Sequence, residues 1–119
     1  MTKEEMKTRT KRYALRVIKA VQALPNDRVA NVLGSQFLRA GTSVGANYRA
    51  ACRAKSTADF VNKLKIVEEE GDESLFWMEL LVESGIVSQQ KLGKLMKEGD
   101  EIVSIVVAAL KTTRSATRS

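Results

Sequence analysis

Apolar residues recur at helical spacing through four long stretches of this chain, and only short polar breaks separate them. The clearest stretch runs through Phe60, Leu64, Val67, Gly71, Leu75, Met78 and Val82, which fall in one narrow stripe when wound at about 100° per residue. Glu68, Asp72, Glu79 and Glu83 fall on a separate, solvated face. A second apolar strip, Ile66, Trp77 and Leu80, lies away from the seam and is interrupted by Glu73. One seam per helix suffices for a lone bundle, so this strip is either a surface buried against another subunit or a place where Trp77 lies over a neighbouring helix. A later stretch repeats the pattern with Leu92, Leu95 or Met96, Gly99, Ile102, Val103, Val106 and Leu110.

The breaks fall where helices would turn: Pro25-Asn26, Lys55-Ser56-Thr57, and Gly85 followed by Ser88. They predict helices near 3–24, 27–54, 57–84 and 88–112, with a polar, basic tail at 113–119 that frays. Ser56 or Thr57 is expected to cap the third helix, Gly85 to end it in a left-handed turn, and Ser88 to cap the fourth. Turns this short make sequential helices antiparallel, so the chain reads as one all-α, up-and-down four-helix bundle occupying residues 1–119. Folding back across Gly85 brings Gly71 near Glu101 and Gly99 near Glu73, which suggests close helix approach or a shared bend. In the second helix, which buries Val29, Leu33, Ala40, Val44, Asn47 and Ala51 on one face, Gly41 to Gly45 reads as a kink or as a close-packing surface of small residues. No Gly-Lys-Ser/Thr follows and no strand precedes it, so a phosphate loop is the weaker reading.

Composition narrows the chemistry. The chain of 119 residues has no His and one cysteine, Cys52, which leaves no intrachain disulfide, no His-ligated metal site and no imidazole base. Glu68, Glu69, Glu70, Asp72 and Glu73 could in principle hold a metal, but without His an ion-paired or solvated face is the expected role. No catalytic, cofactor or metal residue is assigned. No apolar run fits a signal peptide or a membrane span, so no membrane association is expected and the protein reads as cytoplasmic.

Charge is unevenly placed. The net charge is +6, with Lys and Arg concentrated before residue 57 and again after 88, and acids concentrated between them. Lys7, Arg9, Lys11, Arg12, Arg16 and Lys19 on the first helix, with Arg28 and Arg49 on the second, are candidates to hold a nucleic-acid phosphate backbone without reading bases. The opposing account is internal pairing. The turn at 55–57 sets Arg53 beside Asp59 and Arg39 beside Glu69 or Glu73, which makes Arg39 and Arg53 structural.

The segments FLRAGTSVGANYRAACRAKS and STADFVNKLKIVEEEGDESLFWMELL carry a resemblance. Arg39 to Asn47, then Asp59-Phe60 with Lys63-Leu64, then Glu73-Ser74 and Trp77 with Glu79-Leu80, resemble the four-helix-bundle proteins encoded in intervening sequences of bacterial 23S ribosomal RNA genes. That resemblance implies a ring-forming bundle, expected as a homopentamer, with no known enzymatic activity. The chain is also distantly similar to accessory proteins of diversity-generating retroelements, basic pentamers that bind a reverse transcriptase and nucleic acid. RNA or DNA, and a nucleic-acid polymerase, are thereby implied as partners. Many family members have Ile-Ala-Glu-Gly where this chain has Tyr48-Arg49-Ala50-Ala51, so no role of that Glu carries over.

Overall fold

The computed structural model describes residues 1–118, and they form four helices: α1 (Lys3–Gln22), α2 (Arg28–Cys52), α3 (Thr57–Glu83) and α4 (Gln89–Arg118). Each start is fixed by a side-chain oxygen that accepts from an otherwise unpaired backbone N–H. Thr2 accepts from Glu5 N while the Glu5 carboxylate accepts from Thr2 N, both at 3.1 Å. Asp27 accepts from Ala30 N at 2.9 Å, Ser56 from Asp59 N at 3.1 Å, and Ser88 from Lys91 N at 3.2 Å. The third helix is thus capped by Ser56 rather than Thr57. It ends at Gly85, whose φ of +83° lets Gly85 N reach Val82 O and Ile86 N reach Leu81 O.

The bundle measures 51 × 21 × 20 Å. α1 packs on α2, α2 on α3 and α3 on α4, and the closure of α4 against α1 is the sparsest of the four contacts. Its core is Tyr13 and Val17 from α1, Phe37 and Val44 from α2, Leu64, Val67, Met78 and Leu81 from α3, and Ile102 and Val106 from α4. On α3 the buried stripe is rotated slightly from the predicted one. Ser74 and Leu81 are buried while Phe60, Leu75 and Val82 are half-buried, because α3 faces both α2 and α4.

Three local expectations are corrected. Val29 is 53 % exposed, because the buried face of α2 runs through Ala30, Gly34 and Phe37 and Val29 is turned about 100° from Ala30. Residues 113–118 continue α4, with the Thr112 and Thr113 hydroxyls donating to Ala108 O and Ala109 O; Ser119 lies outside the described residues. Gly71 meets the Val103 side chain and not Glu101, and Gly99 meets Tyr13 and Leu75 and not Glu73. α2 runs through Gly41 and Gly45 as one helix, so the small residues there serve close packing: a Cβ at Gly45 would stand 3.2 Å from the Thr10 carbonyl oxygen.

Two polar contacts tie α1 to the helices beyond α2, one to α3 across the diagonal and one to α4 on the sparse side. The Tyr13 hydroxyl lies 2.8 Å from Ser74 Oγ, and Ser74 Oγ lies 2.7 Å from Gly71 O. Gly71 O can only accept, so Ser74 spends its single proton there and Tyr13 must be the donor. A Cβ at Gly99 would sit 2.7 Å from the Tyr13 oxygen, so α4 needs glycine at this height. Further along α1, the Arg9 guanidinium forks onto Glu98 with two bonds of 2.7 Å and reaches Glu101 at 2.6 Å. Its hydrogen bond from Arg9 holds the Glu98 carboxyl below its ordinary range, and the same bond raises Arg9.

Burial pushes the Tyr13 phenol up to about 12. Because the folded state holds that proton more tightly than the unfolded chain, the associated stability is complete below pH 10 and is lost as pH rises toward 12. At neutral pH, Tyr13→Phe is expected to cost about 1 kcal/mol for the lost hydrogen bond. Above pH 10 the wild type should lose roughly 2–3 kcal/mol as the phenol ionises, a loss the variant does not suffer, so their denaturant-derived stability curves should cross. The phenol of Tyr48, also raised by burial, titrates in both proteins and drops out of the comparison. At the acid end the sign reverses. Glu98 contributes stability above its ordinary value of 4.5, lost as pH falls below it, so Glu98→Gln should lower stability at pH 7 by about 1–2 kcal/mol and flatten the loss between pH 5 and 3.

Candidate functional site

The cations of α1 divide between two faces. Lys7 and Lys11, four residues apart, turn toward α2, whereas Arg9, Arg12, Arg16 and Lys19 turn toward α4. On the α2 side they meet Arg49 and Arg53, likewise four residues apart, across a groove of about 380 Å³. The floor of this groove consists of Thr8, Ala14, Thr42, Gly45 and Ala46. These small side chains follow from the close approach of α1 and α2 at Gly45, and they leave the four long cations as its rims. Glu4 is the one acid in the lining and pairs with Lys7 at 2.8 Å. No carboxylate lies within ion-pair distance of Lys11, Arg49 or Arg53 among the described residues. An array of this kind can neutralise closely spaced anionic oxygens.

The remaining candidates are placed otherwise. Arg9 is consumed by Glu98 and Glu101, because the α4 acids stand level with it when the bundle closes. Arg12 and Arg16 line a separate furrow between α1 and α4, and Lys19 lies beyond them toward the α1–α2 turn. Arg28 sits at the start of α2, about 31 Å along the helix from Arg49, and joins neither group. Arg53, expected to pair with Asp59, faces the groove. The Asp59 carboxylate instead accepts from Lys55 N at 3.2 Å, and its helix-start position explains why. The spacing of Arg49 and Arg53 was the sequence signal for their shared rim.

Arg39 pairs with Glu70 at 3.0 Å and with Glu73, which bears out the register of α2 against α3. Glu69 is not a partner. One residue of helix turns the side chain by about 100°, which points Glu69 outward and Glu70 toward α2. The bond from Arg39 holds Glu73 below its ordinary value, and Glu73 also accepts from Trp77 Nε1 at 3.2 Å. The acidic run is therefore split between an ion pair and an exposed face, and no group of three metal-ligating residues occurs among the described residues.

Of the second apolar strip, Ile66, Trp77 and Leu80 are all half-buried, and Trp77 packs against the core. The large side chain exposed beside it is Phe76, 50 % accessible and edge-on to Trp77 at 5.2 Å between ring centres. The Arg39–Glu73 register sets Val32 of α2, 58 % exposed, level with Leu80. Val29, Val32, Phe76 and Leu80 thus form an apolar area across the outer α2/α3 face that the helical stripe of α3 alone did not reveal. No helix among the described residues is long and apolar enough to cross a membrane.

Comparison with known proteins gives one family and one informative structure. None of the curated proteins matches the chain. A crystal structure of a protein of unknown function from the S23 ribosomal protein family of Bacteroides thetaiotaomicron VPI-5482 superposes with a TM-score of 0.84 at 33% identity. The match covers 89% of this chain and 98% of that one, so the two share the whole four-helix architecture. The family model described as 23S rRNA-intervening sequence protein matches residues 2–108, from the capping threonine of α1 into the last turns of α4, and the chain belongs to that family.

Proposed function

We propose that this protein is a non-catalytic, self-associating bundle that holds the phosphate backbone of RNA, or of DNA, in the α1/α2 groove. The observation that carries this reading is the rim of Lys7, Lys11, Arg49 and Arg53 above a floor of small residues, opposed by Glu4 alone. Flexible cations over a shallow floor suit phosphate contacts, and the absence of an aromatic ring in the lining suits binding without base recognition. This set replaces the wider one read from sequence: it drops Arg9, held by Glu98, and Arg12, Arg16, Lys19 and Arg28, which lie outside the groove, and it adds Arg53.

Self-association is supported by the exposed apolar side chains of Val29, Val32 and Phe76, with Leu80 half-buried beside them. A ring of subunits, five in the reading drawn from the family, would repeat the groove around one rim and multiply weak contacts into useful affinity. A protein-binding adaptor, for example for a reverse transcriptase, is the alternative if nucleic acid is not bound.

Two measurements test this. Lys11→Gln, Arg49→Gln and Arg53→Gln together should weaken binding to unrelated RNA and DNA oligonucleotides alike and reduce the slope of log affinity against log salt by roughly 2, with unchanged helical content. Wild type that binds neither at low salt sinks the reading. For assembly, light scattering should give a multiple of the 13.1 kDa chain mass, and Phe76→Arg with Val32→Glu should reduce it to the monomer. A wild-type monomer at micromolar concentration would refute self-association.

A further inference from the structure

A second groove lies on the other side of α1, at the end of the bundle where the α1–α2 and α3–α4 turns meet. Its volume is about 520 Å³. Arg16 and Lys19 stand on the α1 bank and Lys91 and Lys94 on the α4 bank, all four exposed. No acid lines it, and none of the four has a carboxylate within ion-pair distance among the described residues. The floor is aliphatic: Leu24, Ile86 and Val87 are half-buried, and Leu92 and Leu95 are buried beneath them.

The position of Lys91 and Lys94 sharpens the charge argument. α1 carries Glu4 and Glu5 in its first turn, α2 is capped by Asp27 and α3 has Asp59, whereas α4 has no acid in its first turn and places Lys91 there. Cations at the positive end of a helix dipole repel it, so this end of the groove concentrates positive potential, with no acid in the lining.

We infer that this groove binds a short acidic segment of a partner protein, carrying carboxylates for the four cations and an apolar side chain for the floor. Three features select that occupant. Two cations on each bank call for several negative charges, which a single-carboxylate amphiphile lacks. An aliphatic floor gives no use to a bare phosphate. That floor has no counterpart in the α1/α2 groove, whose small residues bury nothing, and a sugar-phosphate backbone has no aliphatic side chain to place on it, which separates this groove from a nucleic-acid site. Each bank spans about eight residues, or about 12 Å, which suits some four residues of extended peptide or two turns of helix. The inference stands independently of the α1/α2 polyanion reading.

The test uses the full chain and a fluorescein-labelled synthetic peptide of eight residues, six Glu or Asp and two adjacent Leu, followed by anisotropy. Binding is expected, and Lys19→Gln, Lys91→Gln and Lys94→Gln together should weaken it roughly tenfold or more. Replacing the two Leu of the peptide with Ala should weaken it several-fold, whereas Lys11→Gln with Arg49→Gln should leave it unchanged. Four results would overturn the proposal. They are no binding of the peptide at low salt, equal binding of the Ala peptide, competition by poly-uridine RNA that is lost in the Lys19/Lys91/Lys94 variant, or a changed mass of that variant in light scattering. The third would make the groove a nucleic-acid site, and the fourth an interface between copies.

Discussion

Placing a tyrosine across the middle of the bundle constrains most of what surrounds it. Tyr13 is 1 % exposed, so its hydroxyl must find a partner inside the protein, and Ser74 supplies it from the diagonal helix α3. Ser74 in turn must unload its own proton, which it does on Gly71 O. The ring fills the space between α1 and α4, and α4 can pass only because residue 99 lacks a side chain. One residue therefore fixes the rotation of α1, the height of α4 and the polarity of the α3 seam. Arg9 bound to Glu98 and Glu101 enforces the same register one turn away.

With α1 held in that rotation, its cations are sorted by geometry rather than by composition. Arg9 is neutralised inside the fold, Lys7 is partly offset by Glu4, and the others are left to solvent on two banks. The ion pairs that α2 and α3 share behave likewise, with Arg39 taking Glu70 and Glu73, while Glu68, Glu69 and Asp72 share a furrow with Lys65 and Arg114. The excess charge of the molecule thus appears as separated positive grooves and a negative outer stripe, a pattern that repels like surfaces and orients unlike ones.

The helices, their caps and the α2–α3 register were legible in the sequence because each depends on neighbours in the chain. Ser56, Gly85 and Ser88 act within a few residues, and the turn at 55–57 leaves Arg39 little choice of height on α3. Arg9 with Glu98 was not legible, since the first and last helices are joined by no turn of their own and their relative height follows only from the packed core. Arg53 was lost to an expected pair with Asp59, an acid already engaged at its own helix start. Phe76 stands outside both apolar stripes of α3, so periodicity alone could not mark it. The tail at 113–118 is helical against expectation because α4 is long enough to run along α3, and the Thr113 hydroxyl bonds backward to its own helix.

α1 is the common wall of both cationic grooves, and it is held to α4 by the sparsest contact in the bundle. A small tilt of this helix that narrows the crevice on one side must open the crevice on the other. Were both proposed occupants to bind, their affinities would be linked through that tilt, and the linkage would be symmetric: whatever factor one imposes on the other is returned in equal measure. Tyr13 and Arg9, the two clamps on that tilt, set how stiff the lever is.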